Sequence, residues 1–379
     1  MSQQSIVAPA LLMVAGLLFS TPAGGADQAK EPSAPSQRIE QYFQPPAEFA
    51  GKFGKYRSPL KFEDGTQVRS ADDWQRRRTE LLDIWTRQMG HWPEVIEQPK
   101  IKTLGEETID GIIHRHVRLE IAPNQTGDGW LLIPPGKGPF PAVLVVFYNP
   151  ETSTGRVEGK QTRAYGLHLA QRGFVTLNIG TPGGDAYKPD IGQAQCQPLS
   201  FHAYVAANAW HALANLPQVD AQRIGVTGHS YGGKWALFAG ALWDKFAAVA
   251  VSDPGIMFNE KRPSINYWEP WYLGLEPGKN PRKRGVPTPS NPGTGAYQRL
   301  RKSGHELHEI HALIAPRPFW VSGGSEDPPQ QWIALNHLIK VNKLLGHQDR
   351  VGMTNRPDHS PTVESTEALV DFFVHFLKP

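Results

Sequence analysis

Gly228-His229-Ser230-Tyr231-Gly232 is the stretch that most restricts how this 379-residue chain can fold. The apolar run 223–227 ahead of it reads as a short strand, and the small-residue run 234–242 behind it reads as a helix. A serine between glycines at a strand-to-helix junction implies a turn too tight for neighbouring Cβ atoms. Such a turn lifts the hydroxyl clear of the sheet edge and aims the amino end of the next helix at it. That is the arrangement of a nucleophile elbow. Ser230 is therefore the candidate nucleophile, and the competing reading is a Gly-rich turn with a solvated serine.

An elbow strand needs a sheet around it. From Phe140 onward apolar runs and helix-forming runs alternate: strands at 143–147 and 174–179, helices at 163–172 and 201–216, then the elbow. Alternation of this kind implies an α/β fold with a mostly parallel sheet and helices on both faces. Residues 57–379 read as a single domain with an N-terminal extension over 57–135. In that extension Ser70-Ala71-Asp72-Asp73 caps a helix over 74–89, and segments 112–121 and 129–133 alternate like antiparallel strands. Residues 27–56 are polar and Pro-rich and read as a mobile leader. The interval 257–305 breaks the alternation after the strand that follows the elbow, and loops of such length are often lids or binding elements. Tyr267-Trp268-Glu269-Pro270-Trp271-Tyr272 lies at its centre. Trp268 and Trp271 are candidates to stack on a sugar or line a cleft; the alternative is that they anchor the insertion.

A nucleophilic serine needs a base, and the base needs an orienting acid. In this class of fold the chain order is serine, acid, histidine. His359 stands in a loop after the last expected strand, 350–354, and just before a closing helix over 363–377. Asp327 stands in the loop after the expected strand 317–324 and is the expected acid. Glu326 beside it is an alternative, and so is Asp253, which lies just after the apolar run 246–251 one strand earlier. His229 is expected to shape the elbow rather than act as base. The Tyr231 backbone N–H is the expected first donor to an oxyanion. The second is expected from the backbone of Tyr148 or Asn149, since no His-Gly-Gly-Gly run is present.

Composition sets bounds. The chain is 39% hydrophobic and carries a net charge of +3, enough apolar content for one large core and no signature of a nucleic-acid binder. The densest basic cluster, Lys279, Arg282, Lys283 and Arg284, falls in a Pro/Gly-rich segment and reads as a solvated loop. Residues 1–26 read as an export signal, with an apolar core at 6–19 too short for a comfortable membrane span and no lipid-anchoring cysteine. Cys196 is the only cysteine, which excludes an intrachain disulfide and fits periplasmic or secreted location. His305, His308 and His311 at spacings of three diverge around a helix, so no metal is expected from them. No cofactor is expected either, and oligomeric state is not legible.

Residues from about 130 onward resemble the serine α/β-hydrolase superfamily. The run from Leu216 to Gly233 around the elbow resembles the dienelactone-hydrolase and prolyl-oligopeptidase branch. The run from His308 to Pro318 is similar to the segment before the acid strand in microbial carbohydrate esterases, the acetyl xylan and glucuronoyl esterases. Lys234, four residues after Ser230, matches a substrate-contacting lysine of glucuronoyl esterases. Two departures stand out. Glucuronoyl esterases carry Arg directly after the serine, where this chain has Tyr231. Dienelactone hydrolases use a cysteine nucleophile, where this chain has Ser230. The resemblance implies an α/β-hydrolase fold and an exported serine carboxylic-ester hydrolase acting on a plant or algal carbohydrate ester. The alternatives are a prolyl-oligopeptidase-like peptidase, whose β-propeller the N-terminal region is too short to build, or a non-catalytic binding protein on the same scaffold.

Overall fold

Pro35 opens a short helix, α1 (Pro35–Ile39), which a single 3-10 turn (Glu40–Phe43) extends. The structure is a computed structural model that describes residues 34–378; the expected export signal and the first part of the leader lie outside the described residues. What remains of the leader departs from expectation. Ile39 and Phe43 are buried, and Arg38 makes a two-pronged ion pair with buried Asp371 at 2.6 Å on each arm. Farther on, Asn336 donates to the Phe49 and Lys52 carbonyls. A few apolar anchors and a buried charge pair tie down a segment whose composition alone looks unstructured.

Helix α2 (Ala71–Met89) starts where Ser70 Oγ accepts the Asp73 N–H at 3.1 Å, the ordinary N-cap bond. Trp74, Leu81, Ile84, Trp85 and Met89 fall on one face and are buried. Three antiparallel strands follow: β1 (Ile101–Ile109), β2 (Ile112–Ala122) and β3 (Gln125–Ile133). β1 is a sheet edge with no buried residue, so it carries no apolar alternation and has no signature in the sequence.

Beyond these the chain runs β4 (Phe140–Val146), α3 (Pro150–Ser153), α4 (Tyr165–Gln171), β5 (Val175–Ile179), α5 (Pro198–Ala214), β6 (Val219–His229) and α6 (Tyr231–Leu242). It continues through β7 (Ala248–Ser252), α7 (Gly295–Lys302), α8 (His308–Ala312), β8 (Phe319–Gly323), α9 (Trp332–Leu344), β9 (Val351–Asn355) and α10 (Val363–Leu377). All strands join one nine-stranded sheet in the order β1-β2-β3-β5-β4-β6-β7-β8-β9. Pairing from β5 to β9 is parallel throughout. Every residue of β5, β7 and β8 is buried, as expected of strands covered on both faces. Ala142, Leu144 and Val146 of β4 pack into the core shared with α5 and α6, while Val143 and Val145 pack into the one shared with α10.

The strand order positions the site. From β4 the chain moves to β5 on one side, then crosses back to β6 on the other side of β4. The connections leaving β4 and β6 diverge there. The crevice this leaves at the carboxyl ends of neighbouring strands is where open α/β sheets hold ligands.

Residues 253–294, between β7 and α7, contain no regular helix, yet Ile265, Tyr267, Trp268, Tyr272 and Leu273 are buried. The Leu199 N–H donates to the Tyr272 carbonyl at 3.1 Å, and the Gln197 side chain exchanges two bonds with the Leu275 backbone at 2.9 and 3.0 Å. The insertion is therefore a packed layer bonded to the start of α5.

Candidate active site

Ser230 ends β6 and caps α6 with φ 57° and ψ −113°, a region that side-chain-bearing residues rarely occupy. The glycines around it are required by contact. A Cβ on Gly232 would lie 2.0 Å from the Val146 carbonyl oxygen, and one on Gly228 would lie 2.4 Å from the Gly232 carbonyl. The Ser230 N–H donates to the Ser252 carbonyl at 2.8 Å, which ties the elbow to the end of β7. Burial raises the phenol pKa of Tyr148, in the loop after β4, and the Ser230 hydroxyl partly offsets the rise.

His359 lies in the loop after β9, and its Nδ1 is 2.7 Å from Oδ2 of Asp253. Nε2 is the ring nitrogen this carboxylate leaves disengaged. Here the structure corrects the sequence expectation, which gave His359 to Asp327. The fully buried Asp253 carboxylate sits in a nest of backbone donors from the loop after β8: Oδ1 accepts from Gly324 at 2.7 Å, Glu326 at 3.1 Å and Asp327 at 2.9 Å. The Asp327 carboxylate turns the other way and accepts from Gly255 at 2.9 Å and Ile256 at 2.6 Å. Each aspartate thus holds the other's loop. Burial, and next the Asp253 charge, push Asp327 up to about 7. Glu326 accepts from Ser264 at 2.7 Å and faces the insertion rather than the imidazole.

The sequence reading missed Arg356, three residues ahead of His359. Its Nη1 donates to the Ser322 carbonyl at 2.8 Å, its Nη2 to the His359 carbonyl at 2.8 Å and its Nε to the Ser360 carbonyl at 2.9 Å. One guanidinium pins the His359 loop onto the end of β8. An arginine among turn residues is the only trace of this in the sequence. His229 stacks obliquely on His359 at 4.7 Å and is held well below the usual histidine range, first by burial and then by the His359 charge. It stays neutral, with Nδ1 3.1 Å from the Ser252 carbonyl.

Tyr231 contributes an N–H from the first turn of α6, where donors have no intrahelical partner. Its ring stacks on Tyr148 at 4.9 Å, and its phenol lies 2.6 Å from His202 Nε2. The Tyr148 N–H donates to no backbone oxygen among the described residues. Asn149 caps α3, its side chain accepting from the Thr152 N–H at 3.0 Å, and its own N–H likewise donates to no backbone oxygen among the described residues.

The three expected substrate contacts separate. Lys234 is buried, donates to the Pro254 carbonyl at 2.5 Å and sits over the Tyr267 ring at 5.0 Å. Burial pushes it down to about 8, against the charges of Asp327, Glu326 and Asp253. In this state it braces the loop after Asp253. Trp268 is 0% exposed and meets Tyr297 edge-on at 5.9 Å, so it is an anchor of the insertion with no free face. Trp271 is 8% exposed and meets Tyr187 edge-on at 5.2 Å, close to the surface. His305 pairs with Glu309 at 2.8 Å and His308 lies 2.6 Å from the Arg57 carbonyl. No group of His, Cys, Asp or Glu among the described residues is placed to hold a metal ion.

Comparison with known proteins agrees with this architecture. The model of the prolyl oligopeptidase family matches residues 163–293. No curated protein matches the sequence. Among solved structures, a glucuronoyl esterase from Solibacter usitatus superposes with a TM-score of 0.66 at 18% identity, covering 84% of this chain and 97% of that one. A promiscuous CE15 esterase from the marine bacterial metagenome superposes with a TM-score of 0.64 at 18% identity, covering 85% and 97%. A glucuronoyl esterase from Sporotrichum thermophile, in complex with methyl 4-O-methyl-beta-D-glucopyranuronate, superposes at 0.54 with 16% identity, covering 86% and 88%. The likeness establishes the α/β-hydrolase fold.

Proposed function

We propose that this chain, an α/β-hydrolase by fold, is an exported serine hydrolase that cleaves a carboxylic ester on a carbohydrate. The observation that carries the reading is the His359–Asp253 pair at 2.7 Å beside a serine at φ 57°. Ser230 Oγ attacks the ester carbonyl while His359 Nε2 takes its proton; Asp253 holds the imidazole in that tautomer and stabilises its charge. The Tyr231 N–H and a backbone N–H of Tyr148 or Asn149 receive the oxyanion. His359 returns the proton to the departing alcohol, leaving an acyl-enzyme. A water that His359 deprotonates then releases the acid. The neighbours named as glucuronoyl esterases support an acyl group of the uronoyl kind.

Ser230→Ala is expected to lower turnover by about 10⁴-fold or more with the fold intact, and a serine-directed phosphonate to label Ser230. Acid release from acetylated, feruloylated and uronate-ester glycans names the acyl group. Alanine-variant turnover well above a contamination control would sink the mechanism. The family match favours a second reading, a peptidase of the prolyl-oligopeptidase kind. The described residues ahead of β4 hold two helices, a 3-10 turn and three strands, which is no propeller. Cleavage of a prolyl peptide faster than of any glycan ester would favour the peptidase.

A further inference from the structure

The basic cluster in the insertion reads in the sequence as a solvated loop, but its members have different surroundings. Lys279 reaches Glu276 at 3.5 Å. Arg282 turns inward and donates to the carbonyls of Gly285 at 2.9 Å, Asn291 at 2.9 Å and Pro292 at 3.1 Å, with Glu269 at 3.7 Å. Arg284 does neither. Its guanidinium carbon lies 4.8 Å from the Tyr187 ring centroid and 5.3 Å from that of Trp271, the two rings that meet edge-on. No carboxylate or carbonyl partners it among the described residues.

Ring contacts connect this cluster to the residue that follows Ser230. Tyr187 belongs to the loop after β5 and is 54% exposed. Trp271 in turn meets Tyr272 at 6.1 Å, and Tyr272 meets Tyr231, the residue after Ser230, at 5.9 Å. Arg284 is exposed, whereas Trp271 behind it is covered. Asp185, two residues ahead on the same loop, accepts the Tyr187 N–H at 2.9 Å.

A guanidinium laid on two rings has lost much of its rotamer freedom before a ligand arrives, and it keeps its edge donors. That planar fork matches the two oxygens of a carboxylate, a geometry an ammonium lacks. We propose that Arg284, seated on Tyr187 and Trp271, receives a free carboxylate on the same glycan that carries the ester. The substrate class is then a uronate-bearing oligosaccharide rather than a neutral one. This rests on the carbohydrate-ester reading and narrows it.

Calorimetry on the Ser230→Ala protein tests the proposal without turnover. The probes are a glucuronic-acid-bearing xylo-oligosaccharide, its neutral counterpart of equal length, and a monosulfated counterpart. The acidic probe is expected to bind about tenfold more tightly than the neutral one, as one charge-assisted bidentate pair allows. Arg284→Ala and Arg284→Gln each abolish the preference, and Arg284→Lys restores only part of it. An unchanged preference in either of the first two variants, or no binding of any probe, overturns the proposal; tighter binding of the sulfate overturns the choice of carboxylate. Ester hydrolysis by the parent protein is scored separately. Hydrolysis without the acidic preference removes the Arg284 inference alone, and the preference without hydrolysis removes the reaction alone.

Discussion

Ser230 and Asp253 both hold positive φ, 57° and 50°, at the ends of adjacent parallel strands. A side chain in that region costs on the order of 1–3 kcal/mol and persists only where its surroundings over-determine it. Here the surroundings are the Ser230 N–H bond to Ser252 and the nest of N–H groups around Asp253. The two aspartates consequently separate by experiment. Asp253→Asn should lower turnover by about 10⁴-fold through loss of the imidazole tautomer. Asp327→Asn leaves His359 paired but removes one acceptor from the loop after Asp253. It should cost about tenfold to a hundredfold and lower the melting temperature. Steady-state rates on a nitrophenyl ester rank the two variants, and the reverse order would return the acid to Asp327.

At the scale of elements, the insertion decides most. Its Trp268 fills the core, and truncating a buried tryptophan costs about 3–5 kcal/mol. Trp268→Ala should therefore lower the melting temperature and impair small and glycan esters alike. Trp271 has Tyr187 and Arg284 as neighbours. Trp271→Ala should raise KM for a glycan ester while leaving kcat close to that of the parent, the form that loss of uniform binding takes. Parallel kinetics on both substrates, with melting curves, check the pair. Equal losses from Trp271→Ala on both would leave that ring a structural role only.

For the whole molecule, buried carboxylates set part of the pH dependence of stability. Glu306 accepts from the Phe258 and Leu307 N–H groups at 2.9 and 2.8 Å, yet burial, the largest influence, raises it to about 7 from 4.5. Between those values the folded chain binds the proton more firmly than the unfolded one, so stability falls as pH rises through that window. The contribution is at most about 3 kcal/mol. Glu306→Gln keeps an acceptor for both N–H groups and removes the titration. The variant's melting temperature should fall less between pH 5 and 7 than the parent's, and an identical slope would contradict the assignment.

Local chemistry determined a good part of this protein from sequence alone. The pentapeptide's glycines and the continuous apolar runs dictated an elbow inside a buried parallel sheet, because both are properties of a few neighbouring residues. The closing helix was legible in the sequence at about 363–377, and the structure adds the Thr362 cap at its start. Edge strand β1 and helix α1 were not legible, because one buries nothing and the other is held by residues more than 300 positions away. The choice among Asp253, Glu326 and Asp327 belonged wholly to the tertiary structure. All three ride on loops at the ends of neighbouring strands, and only the packing of those loops aims one carboxylate at His359 and turns the others away. The same holds for Arg284: its sequence neighbours are loop residues, and the rings that orient it come together only when two distant loops meet.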